Sequence, residues 1–269
     1  MVLVMRYLLA CLLLVSGLVL AEQNSPETDF HWQIDIGAVL SYEQGLVKSI
    51  EEYDQQLTIH GVISGGLYYK RFFIETNPVN RRSTTIGYTL HEDDKNVVNL
   101  VAESLFERIS EGAQERGNLL DGIDKRRNSM EVGFEYYRTI GRAELKLSLL
   151  HDALSNHDGL YGSIDWGIPI YRAGYLFAPS LFVEFLDSNI TDYYFGVDSH
   201  EASAQLPEYR ASSAWRGGIQ LYAERPINEQ WSAISFARYA KVSNEISDSP
   251  IVAGRDETYS IHAGVLWSF

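Results

Sequence analysis

Cysteine is almost missing from this chain: Cys11 is the only one, and it sits in an apolar stretch near the start. Everything after it can form no disulfide and do no thiol chemistry. Positive charge is also scarce. Lys plus Arg number 22 against 36 Asp plus Glu, a formal net charge of −14. A nucleic-acid binder needs a basic footprint to neutralise phosphates, so no nucleic-acid partner is expected. After the first residues no apolar run reaches the roughly 18 residues that a spanning helix needs. If the chain crosses a bilayer it must do so as a closed barrel, because lipid offers backbone amides and carbonyls no partners. There is no G-x-S-x-G nucleophile motif, no internal repeat and no low-complexity tract.

Residues 1–21 read as a secretory signal. Arg6 supplies the positive end, Tyr7 to Leu20 the apolar run, and Val19-Leu20-Ala21 the small-residue cleavage site, so the mature chain is expected to begin at Glu22. Leu8-Leu9-Ala10 before Cys11 mimics a lipoprotein box, but apolar residues continue well beyond it, which favours cleavage after Ala21. The remainder, 22–269, is expected to be an outer-membrane β-barrel.

What is abundant is aromatic residues, with 17 Tyr, 11 Phe and 5 Trp. Tyr suits a membrane–water boundary, where its ring sits in apolar surroundings and its hydroxyl in water. Alternation is strongest at the end. Tyr259, Ile261, Ala263, Val265, Trp267 and Phe269 share one parity; Ser260, His262, Gly264, Leu266 and Ser268 share the other. Alternate side chains of a strand point to opposite faces, giving one apolar and one small or polar side. This pattern alone fits the last strand of a soluble sandwich as well as that of a barrel.

Eleven further stretches read as strands: 32–40, 57–64, 66–76, 84–90, 96–106, 129–138, 141–150, 160–168, 174–186, 210–224 and 230–241. The second and third are expected to meet at Gly65-Gly66. In 96–106, Val97, Val101 and Leu105 also have helical spacing, so a helix competes there. For 129–150, a turn at Thr139-Ile140 would set the apolar residues of the two strands opposite one another. Glu135 would then lie diagonally between Arg142 and Lys146, each contact contributing about 0.2–1 kcal/mol.

The connections sort by length. Those after even-numbered strands are short; those after odd-numbered strands are mostly long, above all 187–209 and 242–257. Bacterial outer-membrane barrels have this asymmetry, with short periplasmic turns and long external loops. The fold class is therefore all-β: a transmembrane antiparallel up-and-down β-barrel of about 12 strands, with both termini periplasmic. Inner-facing Glu131, Glu135, Glu144, Arg142 and Lys146 either pair into a lattice or line a pore.

Candidate sites are few. His151, Asp152, His157 and Asp158 are types that bind metals, in a segment that otherwise reads as a solvated external loop. His262 has the inner parity, where a hydrogen bond to a lumen neighbour is the default. Asp192, Tyr193, Tyr194 and Phe195 crowd aromatics into a long loop, so they either pack on the barrel rim or touch a partner. Ser247-Asp248-Ser249-Pro250 reads as a structural turn, and the sequon at Asn189-Ile190-Thr191 as coincidence. No catalytic residue, cofactor or metal is expected.

Certain words exceed what alternation or turn chemistry requires: N-I-T-D-Y-Y-F-G-V at 189–197 and S-D-S-P-I-V at 247–252. T-T-I-G-Y-T-L at Thr84, L-D-G-I-D-K-R-R at Leu120, H-D-A-L-S-N-H-D-G at His151 and the terminal W-S-F support them; the stretch from Asp124 to Arg127 is the looser match. With these the chain resembles the MltA-interacting protein/outer-membrane protein V (MipA/OmpV) family. The resemblance implies a Gram-negative outer-membrane barrel without enzymatic activity, surrounded by outer-membrane lipid. One member of that family scaffolds murein-degrading and murein-synthesising enzymes; others are described as stress-regulated surface proteins or adhesins. It also implies that Tyr259, Ile261, Val265, Trp267 and Phe269 form the signal read by the barrel-insertion machinery. The expected function is a scaffold or structural protein of the envelope; the alternatives are a small-solute channel and an adhesin acting through the external loops.

Overall fold

The computed structural model describes residues 30–47, 57–76, 84–105, 120, 122–252 and 254–269. The expected signal at 1–21, the turn at 77–83 and most of the polar segment after 106 lie outside the described residues.

Thirteen strands follow one another: β1 (Phe30–Gln44), β2 (Leu57–Tyr69), β3 (Phe72–Thr76), β4 (Thr84–Glu92), β5 (Asn96–Leu105), β6 (Ser129–Ile140), β7 (Ala143–Asp152), β8 (Leu160–Gly167), β9 (Ile170–Arg172), β10 (Tyr175–Leu186), β11 (Ala214–Pro226), β12 (Trp231–Val242) and β13 (Glu257–Ser268). Helix α1 (Ser188–Phe195) lies between β10 and β11, and α2 (Asn244–Ser247) between β12 and β13. All pairings are antiparallel between neighbours, and β1 with β13 closes the ring. β8 and β9 both pair with β10, on either side of Ile168-Pro169. Pro169 has no N–H to give, so the ladder breaks there, and the two pieces count as one strand of a closed twelve-stranded barrel.

The burial pattern is that of a membrane barrel. Along β7, Leu149 is 53 % exposed between buried Ser148 and Leu150. Ile59, Ile63, Phe134, Leu181, Ile219 and Ile261 face outward, whereas Ser41, Ser64, Glu103, Glu135, Glu184 and Arg216 are buried. Apolar side chains outside and polar ones inside is the reverse of a soluble domain, and it suits a hydrocarbon solvent.

β5 is the strand expected and not the competing helix, while two turn positions change. Val97, Val101 and Leu105 are four apart, an even spacing that keeps them on one face of a strand as well as of a helix, and β4 and β6 pair with it on both sides. The β2–β3 turn is at Lys70-Arg71, not Gly65-Gly66: Tyr69 pairs with Phe72, and Lys70 takes φ 55°. Gly65 remains inside β2 at φ 135°, where a Cβ would run into the Gln33 carbonyl oxygen of β1. Its glycine serves close strand approach. The β6–β7 turn is at Gly141-Arg142, because Gly141 adopts φ 65° at no steric cost. Phe134 still faces Leu149, and Tyr136 faces Leu147. Glu135 pairs with Lys146 as expected, but Arg142 is exposed in the turn and does not reach it.

Inside the barrel several of the charges pair: of those expected there, Glu135 meets Lys146 and Glu131 meets His157, whereas Glu144 Oε1 is buried without a hydrogen-bond partner. Glu184 holds Arg216 and, at 3.1 Å, Arg238, whose guanidinium lies 3.7 Å from the Phe182 ring centroid. Tyr137 donates to Glu135 at 2.7 Å, Tyr68 to Glu75 at 2.9 Å and Thr85 to Glu103 at 3.0 Å. Removing one member of such a pair would strand a buried charge.

Candidate functional site

The described parts of the long connections pack together at one end of the barrel, around α1. Asp187 caps it, its carboxylate accepting the Ile190 N–H at 3.0 Å. An N-cap Asp satisfies an amide that has no partner within the helix. Ile190, Thr191, Tyr194 and Phe195 are buried on one face of α1. They join a cluster with Leu120 and Ile123 of the β5–β6 connection, Leu206, Ile246 of α2, and Val252. Strand residues Val101, Leu150, Tyr161, Leu186 and Val242 form the wall against which this cluster packs.

Polar contacts tie the same segments. Tyr194 donates to the Arg127 carbonyl at 3.1 Å, Ser249 to the Phe195 carbonyl at 2.6 Å and Tyr209 to the Glu245 carbonyl at 3.0 Å. Arg126 reaches Glu201 at 2.8 Å, with side chains 8 % and 0 % exposed. Burial opposes charge on Glu201, but the Arg126 guanidinium and the Asp198 and Asp124 amides outweigh it and hold the carboxyl below its usual range. Outside this pair, Nε2 of His200 lies 2.9 Å from the Asp124 carboxylate. That hydrogen bond raises the imidazole and lowers the acid. Leu46 and Val47, just after β1, belong to the same cluster, and Val47 bridges to Val252, so the described parts of the β1–β2, β5–β6, β10–β11 and β12–β13 connections form one packed body.

The expected contact residues lie within this body. Tyr194 is 0 % and Phe195 1 % exposed, Tyr193 is half-buried, and Asp192 accepts the Ala211 N–H at 2.8 Å. The signal for such packing is in the sequence: an Asp cap, then Ile190 and Tyr194, and Thr191 and Phe195, each four apart as on one helical face. Arg126 and Glu201 gave no comparable local signal, because they meet only in three dimensions.

Of the four residues at 151–158, the structure brings Asp152 and His157 together with Glu131, all buried, their ligand atoms within 4.8 Å; His151 and Asp158 are exposed. Most of the donor set is already committed, Glu131 Oε2 alone of its buried oxygens having no hydrogen-bond partner. Asp152 accepts from the Ser129 hydroxyl and from the amides of Leu154 and His157 at 2.8 Å and Asp158 at 3.1 Å. His157 Nδ1 accepts the Gly159 N–H at 3.0 Å, so Nε2 carries the proton and donates to Glu131 at 3.0 Å. With both ring nitrogens so used, the trio anchors the β7–β8 connection beneath Tyr193 and Tyr194, whose rings lie 5.7 and 5.8 Å away. His262 is likewise a cross-link: its Nδ1 lies 2.7 Å from the Ser41 hydroxyl. Glu43 is 3.7 Å from its Nε2, beyond a hydrogen bond, and Ser41 is 1 % exposed, so the three do not form a working nucleophile–base–acid relay.

Tyr259, Ile261, Val265, Trp267 and Phe269 lie along or just after β13, with Ile261 55 % and Phe269 63 % exposed on the outward side.

The chain has relatives among known proteins. The chain is 26 % identical to YiaT of Escherichia coli over 238 residues, covering 88 % of this chain and 91 % of that one. It is 23 % identical to the outer membrane protein OmpV of Vibrio cholerae over 262 residues, 95 % and 96 % of the two chains. To the MltA-interacting protein of Escherichia coli it is 28 % identical over 148 residues, 55 % of this chain and 59 % of that one. Among solved structures, the NanC porin aligns with a TM-score of 0.45 at 11 % identity, covering 87 % of this chain and 98 % of its own. The family model described as "MltA-interacting protein MipA" matches residues 28–269, and the chain, an outer-membrane β-barrel, belongs to that family.

Proposed function

We propose that the protein is a non-enzymatic scaffold or structural protein of the outer membrane, acting by contact and not by conducting solutes. The observation that carries this reading is the packed body of connections, with Ile190, Tyr194 and Ile246 wholly buried against the strand wall. A diffusion channel needs its mouth free of such packing. The paired charges below it, Glu184 with Arg216 and Arg238, and Glu135 with Lys146, support the same reading. Single-channel recording on refolded protein in planar bilayers tests it. Silence is expected; steady ion currents would favour a small-solute channel.

The finer role follows the relatives named MltA-interacting protein: contact with murein-degrading and murein-synthesising enzymes in the periplasm. The surface expected on that side is that of the short turns, less than the roughly 800 Å² per partner of standard interfaces unless the turns act together. A pull-down from detergent extract should recover such an enzyme; recovery of none would count against the role. The outward aromatic side of β13 is assigned to recognition by the insertion machinery. Trp267→Ala with Phe269→Ala should slow assembly while leaving the packed body of connections, the plug, intact.

A further inference from the structure

The short-turn end of the barrel carries positive charge on its outward, lipid-facing side. Arg172 of β9 pairs across the sheet with Tyr175 of β10. Tyr175 lies beside Arg225 of β11, which donates Nη1 to the tyrosine hydroxyl at 2.7 Å and holds its guanidinium carbon 4.8 Å from the ring centroid. Arg225 has the parity of Trp215, Ile219 and Leu221, all exposed on the outer surface. The outcome is a row Arg–Tyr–Arg over three adjacent strands, its ends about 10 Å apart by strand spacing. Below it, Phe177 stacks on Tyr175 at 5.6 Å and pairs with Ile170, which is 45 % exposed. Two strands away, Arg138 heads a second outward row through Leu145 to Trp166.

An arginine on the lipid face is costly unless its head reaches the boundary and finds an anion there. Arg138, Arg142, Arg172 and Arg225 are all exposed in this sector, although the whole chain has a net charge of −14. We propose that the row Arg172–Tyr175–Arg225 binds the phosphate of an anionic glycerophospholipid, whose acyl chains lie on Phe177, Ile170 and Leu221. The two guanidiniums supply planar forks matched to phosphate oxygens, and the tyrosine fixes one of them. In the expected orientation this lipid belongs to the periplasmic leaflet.

The test is native mass spectrometry of the protein released from nanodiscs of equal phosphatidylglycerol and phosphatidylcholine. Wild type should retain phosphatidylglycerol by about tenfold over phosphatidylcholine, because both offer the guanidiniums a phosphate but only choline sets a second cation against them. Arg172→Gln with Arg225→Gln should bring the ratio to parity, while Lys241→Gln at the opposite end should not change it. Arg172→Gln alone, at an exposed strand end, should lower the ratio if the double variant fails to assemble. Parity in wild type, or selectivity that survives Arg172→Gln with Arg225→Gln, overturns the proposal. Displacement of the lipid by millimolar inorganic phosphate would mark a free-anion site and overturns it too.

Discussion

Arg126 and Glu201 meet in a buried ion pair at 2.8 Å, although 75 positions separate them in the chain. The pair joins the β5–β6 connection to the β10–β11 connection, and the Arg126 Nη2 also donates to the Gly196 carbonyl just beyond α1 at 3.3 Å. It is a buried polar tie within the packed body of connections.

Glu201→Gln would leave Arg126 buried without its counter-charge, which costs about 3–5 kcal/mol. The loss should stay local, since the strand ladders do not use either residue. Hydrogen exchange over residues 188–211 should quicken strongly, while the folded barrel keeps its heat-modifiable mobility on gels. Loss of both would show that the plug is needed for the barrel itself.

Tyr194→Ala removes a ring that is 0 % exposed and a hydroxyl that donates to Arg127. Large aromatic truncations in packed cores cost about 3–5 kcal/mol. Opened in this way, the barrel should show currents in planar bilayers where wild type is expected to show none.

Gly65→Ala places a methyl group against the Gln33 carbonyl at a φ of 135°. Both effects oppose β1–β2 pairing, so little heat-modifiable barrel should form on refolding. Normal refolding yield would contradict the close approach.

The His200–Asp124 contact and the depressed Glu201 carboxyl give the plug a pH window. The carboxylates have folded pKa values below the unfolded ones, so their contribution is present above about pH 4 and is lost as pH falls through the folded values. The imidazole is raised, so its contribution is full below about pH 6.5 and is lost as pH rises through the folded value. A spin label at Ser199→Cys should therefore be least mobile between about pH 4 and pH 6.5. His200→Gln should remove the upper limb of that profile; an unchanged upper limb would rule out the histidine as its source.

The strands were legible because alternation is local, and a barrel repeats it all the way round. β13 and the β6–β7 faces could be read residue by residue. Turn positions were less so. Gly65-Gly66 looked like a turn, but left-handed backbone at Lys70 and close packing at Gly65 are set by neighbouring strands. The plug was the least legible part. Asp192 to Phe195 stood out as aromatic residues needing cover, but what covers them comes from Leu120, Arg126, Ile246 and Val252, remote in sequence. Asp152 and His157 were visible as a cluster, whereas their partner Glu131 lies on another strand.

The account rests on apolar side chains meeting hydrocarbon and polar ones enclosing the interior. Because Cys11 is the only cysteine and lies in the expected signal, single cysteines can be spin-labelled cleanly in the mature chain. The decisive measurement is collision accessibility in lipid bilayers. Labels at Ile59, Phe134, Leu181 and Ile261 should collide freely with oxygen and hardly at all with a water-soluble nickel chelate, while labels at Ser64 and Ser148 should be shielded from oxygen. Equal access of the nickel chelate to the first four positions would contradict the arrangement.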